Sequence, residues 1–311
     1  MEKLKSILVS VNPEFDSHAA IQRAHRVAKQ TGASLTLVDT LDGPPMLYPR
    51  LSPPPWILPS ALVAEKTTEL ERLAQPVRDD GVSVETKVLH GKRSTEVVRQ
   101  AIRAGHDLVM KVAEKPSRTV LFGATGMQLL RRCPCPVWLV KPAGNESDTR
   151  VLAAVDPSSD DPSSQALNTK IIEHARRVAQ FQGAEMHVIH AWIAYGASVL
   201  RGRGGAQLDE VRRYRRSVKR EAKAALERLL NETNTHLAPK NVHLIEGAPE
   251  LVLPRFAKAK KFDLLVMGTV ARSGISGLII GNTAERLVGR VACSILALKP
   301  DGFLSPVKLQ E

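Results

Sequence analysis

Apolar residues occur along this chain in short blocks, and between the blocks they recur every three or four positions. Ser6-Ile7-Leu8-Val9-Ser10-Val11 is a β-branched run that stops at Asn12-Pro13, which predicts a buried strand followed by a turn. Ala20, Ala24, Val27 and Ala28 then keep a helical period up to the stop at Gly32, and Ser34-Leu35-Thr36-Leu37-Val38 reads as a second strand. The pattern continues with a helix over 61–78, a strand over 82–89 and a turn at Gly91. A helix from Ser94 to Ala104, a strand over 107–110, a helix over 123–131 and a strand over 136–142 follow. Between the second strand and the next helix, the stretch 41–60 carries prolines at 44, 45, 49, 53, 54, 55 and 59. Proline removes N–H donors, so this stretch is loop or polyproline II; its role as a surface connection, a lid or a docking arm (with Trp56) stays open.

After a polar linker over 143–148 the pattern restarts. Arg150-Val151-Leu152-Ala153-Ala154-Val155-Asp156-Pro157 matches the first strand and its turn. Arg177-Val178-Ala179 with Gly183 matches Arg26-Val27-Ala28 with Gly32, Glu246-Gly247 matches His90-Gly91, and Asp263-Leu264-Leu265-Val266-Met267 matches Asp107-Leu108-Val109-Met110-Lys111. Cys293 to Pro300 matches Cys135 to Pro142. Order and spacing agree over the whole length, so the chain is a duplicated α/β unit, with domains expected at 1–143 and 149–301. Alternating strand and helix predicts right-handed crossovers and a mostly parallel sheet in each half. Ligands of such sheets bind beyond the carboxyl ends of the strands, so Asp156 and the loop after Met267 are expected to face one crevice.

Composition narrows the class. Of 311 residues, 43% are apolar and only 4% aromatic, which suits aliphatic parallel sheets. Three cysteines without framework spacing point to a reducing compartment, and the N-terminal stretch has no signal-peptide layout. No apolar run approaches the length of a membrane span, so a cytoplasmic protein without a transmembrane segment is expected. The formal charge of +12 permits anionic partners without establishing one.

The chemistry concentrates in the second half. The run Leu264 to Met267 ends in Gly268-Thr269, a glycine-containing loop leads to Gly281-Asn282-Thr283, and a helical period follows with Ala284, Leu287, Val288 and Val291. Strand, loop and helix N-terminus bring free backbone N–H groups and the positive end of a helix dipole together, which suits an anion such as phosphate. The same residues also read as ordinary turn and cap chemistry. In the first half the matching stretch is Val112-Ala113-Glu114-Lys115-Pro116, without the glycines, and Ala124 stands opposite Asn282.

These residues resemble the universal stress protein family in its tandem form. Gly268, two residues, Ala271, nine residues, then Gly281-Asn282 fit the spacing of the family's nucleotide-binding members, with Ala271 where the second glycine belongs. Val155 to Ser158 and Cys135 to Pro142 also look like the family. The resemblance implies two Rossmann-like domains of the adenine nucleotide alpha hydrolase type, each a five-stranded sheet of order 3-2-1-4-5. It implies pairing of the domains through their fifth strands as an internal pseudo-dimer; a homodimer beyond that stays open. For the site it implies Asp156 and Pro157 by the adenine and ribose, Gly268, Thr269 and Ala271 where the backbone meets phosphate, and Gly281, Asn282 and Thr283 on phosphate oxygens. The expected ligand is ATP or a related nucleotide, in the second domain only and with Mg²⁺ only alongside ATP. The alternative is a stress scaffold that works through protein contacts or a small apolar ligand. Arg272 could reach a triphosphate or simply be a solvated loop residue.

Other candidates are weaker. A basic run between Arg201 and Arg228 shares an amphipathic helix with Leu208, Val211, Tyr214, Val218, Ala222, Ala225 and Leu229. It reads as a solvated face rather than a nucleic-acid surface, because no aromatic platform interleaves with the cations. Cys133-Pro134-Cys135 lacks the gap of a redox pair, and Cys135 reads as a packing position. His187 and His190 lie three apart on a strand and so face opposite sides, and no metal site is expected. No nucleophile, base and acid stand together, so no enzymatic activity is expected beyond slow, incidental ATP hydrolysis.

Overall fold

The computed structural model describes residues 4–11, 18–41, 58–113, 122–141, 149–197, 208–269 and 280–309. They form two compact units. One is built on Met1–Ser147, with Phe303–Glu311 belonging to it; the other is built on Asp148–Gly274 and Ile279–Gly302.

The first unit runs β1 (Ser6–Ser10), α1 (His18–Thr31), β2 (Ser34–Leu41), α2 (Leu58–Asp79), β3 (Val84–His90), α3 (Arg93–Ala104), β4 (Leu108–Val112), α4 (Gly123–Arg132) and β5 (Val137–Val140). Its strands pair parallel in the order β3-β2-β1-β4-β5. The second unit runs β6 (Arg150–Ala154), α5 (Pro162–Gln182), β7 (Glu185–Trp192), α6 (Leu208–Glu232), β8 (Val242–Glu246), α7 (Pro249–Ala259), β9 (Leu264–Gly268), α8 (Asn282–Val288) and β10 (Ser294–Leu298). Its strands pair parallel in the order β8-β7-β6-β9-β10. The inner strands bury nearly every side chain, as parallel sheets covered on both faces must, while β3 and β8 stay mostly half-buried.

The duplication reaches individual hydrogen bonds. The carboxylate of Asp107 accepts the backbone N–H groups of Lys5 (2.7 Å) and Ser6 (2.9 Å), tying the start of β4 to the start of β1. Asp263 accepts those of Thr149 (3.0 Å) and Arg150 (3.1 Å), tying β9 to β6 in the same way. Gly91 donates to the Leu41 carbonyl and Gly247 to that of Trp192, each at 2.9 Å and each with positive φ, which explains why both turns need glycine. These clamps fix the residue-by-residue equivalence of the two units.

Some details differ from expectation. The third strand begins at Val84 rather than at residue 82. Cys133 is the fully buried member of its pair, Cys135 is half-buried, and their sulfurs stand 3.4 Å apart as free thiols. The proline-rich stretch up to residue 57, the linker from 142 to 148, Ala271 and Arg272 lie outside the described residues.

Candidate functional site

At the carboxyl ends of β6, β7 and β9 the second unit holds a cavity of about 940 Å³. Asp156, Pro157, Gly268, Gly281, Asn282 and Thr283 all line it. Part of its wall is apolar, from Leu167, Ile171, Leu253 and Leu287 to Trp192 and to Val218 of α6. Among the described lining residues the charged ones are Asp156, Asp160, Glu221, Glu250 and Arg228. Four carboxylates face one guanidinium, a field that disfavours a bare polyphosphate and favours one that brings its own cation.

The loop after β6 is held from two sides. The side-chain oxygen of Asn168 accepts from the Asp156 N–H and its amide donates to the Asp156 carbonyl, both at 2.9 Å, so one buried asparagine on α5 satisfies both backbone groups of Asp156. His190 on β7 is buried; its Nδ1 lies 3.2 Å from the Val155 carbonyl and its Nε2 3.1 Å from the Ser158 hydroxyl. Donation from Nδ1 to the carbonyl leaves Nε2 to accept from Ser158. α5 itself starts from Asp161, whose carboxylate accepts the N–H (2.9 Å) and hydroxyl (2.8 Å) of Ser164; those bonds hold its pKa below the usual value.

The glycine loop behaves differently at each residue. A Cβ on Gly268 would come within 2.6 Å of Leu167 Cδ2, so the glycine at the end of β9 makes room for a leucine of α5. The resemblance implies a further use of the same glycine, a close approach of its backbone to phosphate. Thr269 is buried and turns its hydroxyl away from the cavity, to the Leu298 carbonyl of β10 at 3.2 Å. Gly281 caps α8, and its own N–H is spent on the Thr269 carbonyl at 2.9 Å. Asn282 and Thr283, both exposed, are therefore the residues of this group left facing the cavity at the helix start.

The matching positions of the first unit are built the other way. Register pairs Asp39 with His190, and the turn glycines pair Arg93 with Pro249. The buried spacing of Leu70, Leu73 and Ala74 against Leu226, Leu229 and Leu230 pairs Lys66 with Ala222. In the second unit His190, Pro249 and Ala222 all line the cavity. In the first, Arg93 donates to Asp39 (2.6 Å) and to the Val11 carbonyl (2.6 Å), and Lys66 closes on the other oxygen of Asp39, whose side chain is 1% exposed. An ion cluster occupies the place of the cavity's inner wall. Val112 stands where the second unit has Gly268.

A second histidine site lies at the opposite ends of β7 and β8. His187 and His243 stack with ring centroids 5.3 Å apart, and His187 Nδ1 meets His243 Nε2 at 3.0 Å. Glu185 holds the other nitrogen of His187 at 3.0 Å, and Phe256 and Phe262 pack around the pair. Burial, then the His187, Lys260 and Arg150 charges, push His243 down to about 4. Burial also lowers His187, while His187 leads the lowering of Glu185 to about 2. Among the described residues no group of three or more histidines, cysteines or carboxylates is arranged to hold a metal, and no helix is long and apolar enough to cross a membrane.

The universal stress protein family profile matches residues 3–141 and again 149–299. The chain belongs to the universal stress protein family. Among curated relatives it is similar to universal stress protein E of Salmonella typhi, at 29% identity over 319 residues, covering 100% of this chain and 99% of the relative. The universal stress protein E homolog of Haemophilus influenzae is 24% identical over 311 residues, covering 96% and 98%. A solved structure of a functionally unknown protein from Pseudomonas aeruginosa PAO1 superposes with a TM-score of 0.73 at 27% identity, covering 96% of this chain and 94% of that one. A universal stress protein from Archaeoglobus fulgidus, 16% identical, shares the fold with a TM-score of 0.65 over 96% and 99% of the two chains.

Proposed function

We propose that this member of the universal stress protein family acts in the cytoplasm as a regulatory binding protein, taking ATP or a related adenine nucleotide in the crevice of its second unit. One observation carries the reading: residues from the two ends of that unit, Asp156 and Pro157 with Gly268, Gly281, Asn282 and Thr283, line a single cavity. In this reading Asp156 and Pro157 contact base and ribose, and Asn282 and Thr283 contact phosphate oxygens. The carboxylate-rich lining makes a magnesium complex of the nucleotide the species that fits. Binding rather than turnover is the role, with ATP hydrolysis at most slow and incidental.

A second reading has its own support. Leu167 occupies the space beside Gly268, and Ile171, Leu253, Leu287 and Trp192 make much of the wall apolar, as a small apolar ligand of a scaffold protein would need.

Calorimetric titration with magnesium ATP separates the two, on the wild type and on Thr283→Glu. A carboxylate in the first turn of α8 favours the helix while repelling phosphate, so the variant keeps its fold. Binding that is lost in the variant supports the nucleotide reading. No heat with millimolar nucleotide, together with uptake of an environment-sensitive apolar dye that Trp192 quenches, supports the apolar one.

A further inference from the structure

Spacing alone sets Cys133-Pro134-Cys135 apart from a redox pair, but the folded chain brings the two sulfurs to 3.4 Å as free thiols. Cys133 closes α4, with its N–H on the Leu129 carbonyl at 2.9 Å, and Cys135 stands just before β5. Pro134 between them fixes one backbone dihedral and so narrows the range over which the sulfurs can separate.

The second unit shows what the fold itself asks of these positions. There Val291 makes the same bond, its N–H on the Leu287 carbonyl at 3.0 Å, and Cys293 leads into β10. Cys133 and Val291 are equally buried. An apolar side chain is therefore enough for packing at this position, and the sulfur of Cys133 is an addition of the first unit. Access differs as well: Cys293 is buried, whereas Cys135 is half-buried. The first unit has both a second sulfur and a way to reach the pair from solvent.

We propose that Cys133 and Cys135 form a reversible dithiol site, oxidised to an intramolecular disulfide by low-molecular-weight disulfides of the glutathione class. Closure brings the sulfurs together by about 1.4 Å. Cys135, the accessible member, gives up its proton and attacks one sulfur of the reagent, whose S–S bond breaks to release the first small thiol. Cys133 then gives up its proton and attacks the Cys135 sulfur, and the mixed S–S bond breaks to release the second. Two protein thiols are oxidised, one reagent disulfide is reduced to two thiols, and the two protons end on those thiols. The Cys133 sulfur, then burial, push the Cys135 thiol up, so thiolate is scarce near neutral pH. That suits slow equilibration with a disulfide pool rather than rapid trapping of peroxide. The closed loop spans three residues and constrains the unfolded chain little, so the bond is one that thiols reduce again rather than a permanent staple.

The test equilibrates the full chain in mixtures of oxidised and reduced glutathione, quenches in acid, alkylates free thiols after denaturation and maps the peptides by mass. With excess oxidised glutathione the wild type should stay a single chain, two hydrogens lighter, with Cys133 and Cys135 protected and Cys293 alkylated. Excess reduced glutathione should return all three thiols. Cys133→Val installs the second unit's residue, keeps the circular dichroism and cannot close the bond, so it should carry glutathione on Cys135 at a level at least about tenfold above the wild type. Three alkylatable thiols in the wild type under excess oxidised glutathione overturn the proposal. So does a wild-type adduct as abundant as in Cys133→Val, a disulfide between two chains, or one that includes Cys293.

Discussion

The two units repeat one fold down to the aspartate that ties the fourth strand to the first, yet they spend the space beyond their strands in opposite ways. At three equivalent positions the first unit has Asp39, Arg93 and Lys66, joined into an ion cluster around the buried Asp39, and the second has His190, Pro249 and Ala222, lining a cavity of about 940 Å³. The sheet sets where a crevice forms, and a few side chains decide whether it is open. A buried carboxylate held by two cations is a plug that stabilises only while complete, because each partner left alone is a desolvated charge.

That difference can be broken most forcefully at Asp39. Asp39→Ala leaves Arg93 and Lys66 facing each other without their anion and should cost about 3 kcal/mol in urea unfolding of the first unit. The triple change Asp39→His, Lys66→Ala and Arg93→Pro installs the second unit's residues and should cost less than the single one. A triple variant less stable than Asp39→Ala would show that the cluster is not the unit of stability.

The next effect is a pH dependence; burial lowers His106 in the first unit and His174 in the second, and the second unit adds a stacked pair. Thr36 and Lys87 of the first unit stand where the second has His187 and His243. Both imidazoles have pKa values lowered by folding, so the unfolded chain binds more protons than the native one once pH falls below the ordinary histidine value near 6.5. Their stabilisation is complete above that pH and is lost as pH drops toward about 4, where His243 titrates in the folded state. Glu185, also lowered, adds loss in the same direction at still lower pH. The second unit should lose about 1 to 3 kcal/mol between neutral pH and pH about 4.5, and His243→Phe, which keeps the stacked shape, should flatten that limb. A pH-independent unfolding midpoint over this range would refute the assignment.

A smaller effect sharpens the account of the open crevice. Asn168→Ala removes both bonds to the Asp156 backbone and should cost about 1 to 2 kcal/mol, with weaker ligand binding because the loop after β6 loses its register. Unchanged stability and affinity would mean the loop is held by the Ser158–His190 contact alone.

Much of this was legible in the chain. The repeat in order and spacing gave the two units, the strand positions and the pairing of Asp156 with the glycine loop, because buried parallel strands leave a dense apolar signature. What escaped depends on contacts between distant residues. Nothing near Gly268 in the sequence tells that Leu167 lies against it, or that Thr269 turns inward to Leu298. Asp39, Lys66 and Arg93 each look like ordinary surface charges until three elements bring them together. A spacing of three sets His187 and His190 on opposite faces, but the partner of His187, His243, lies on the neighbouring strand, and only the register places them side by side.

The most direct test of an open second crevice and a plugged first one is photolabelling with azido-ATP in the presence of magnesium, followed by mapping of the labelled peptides. The account predicts label confined to the second unit, in the peptides bearing Asp156 to Asp160 or Tyr195, and protection by excess ATP. Label in the first unit around Val11 or Arg93, or label that ATP does not displace, would contradict it.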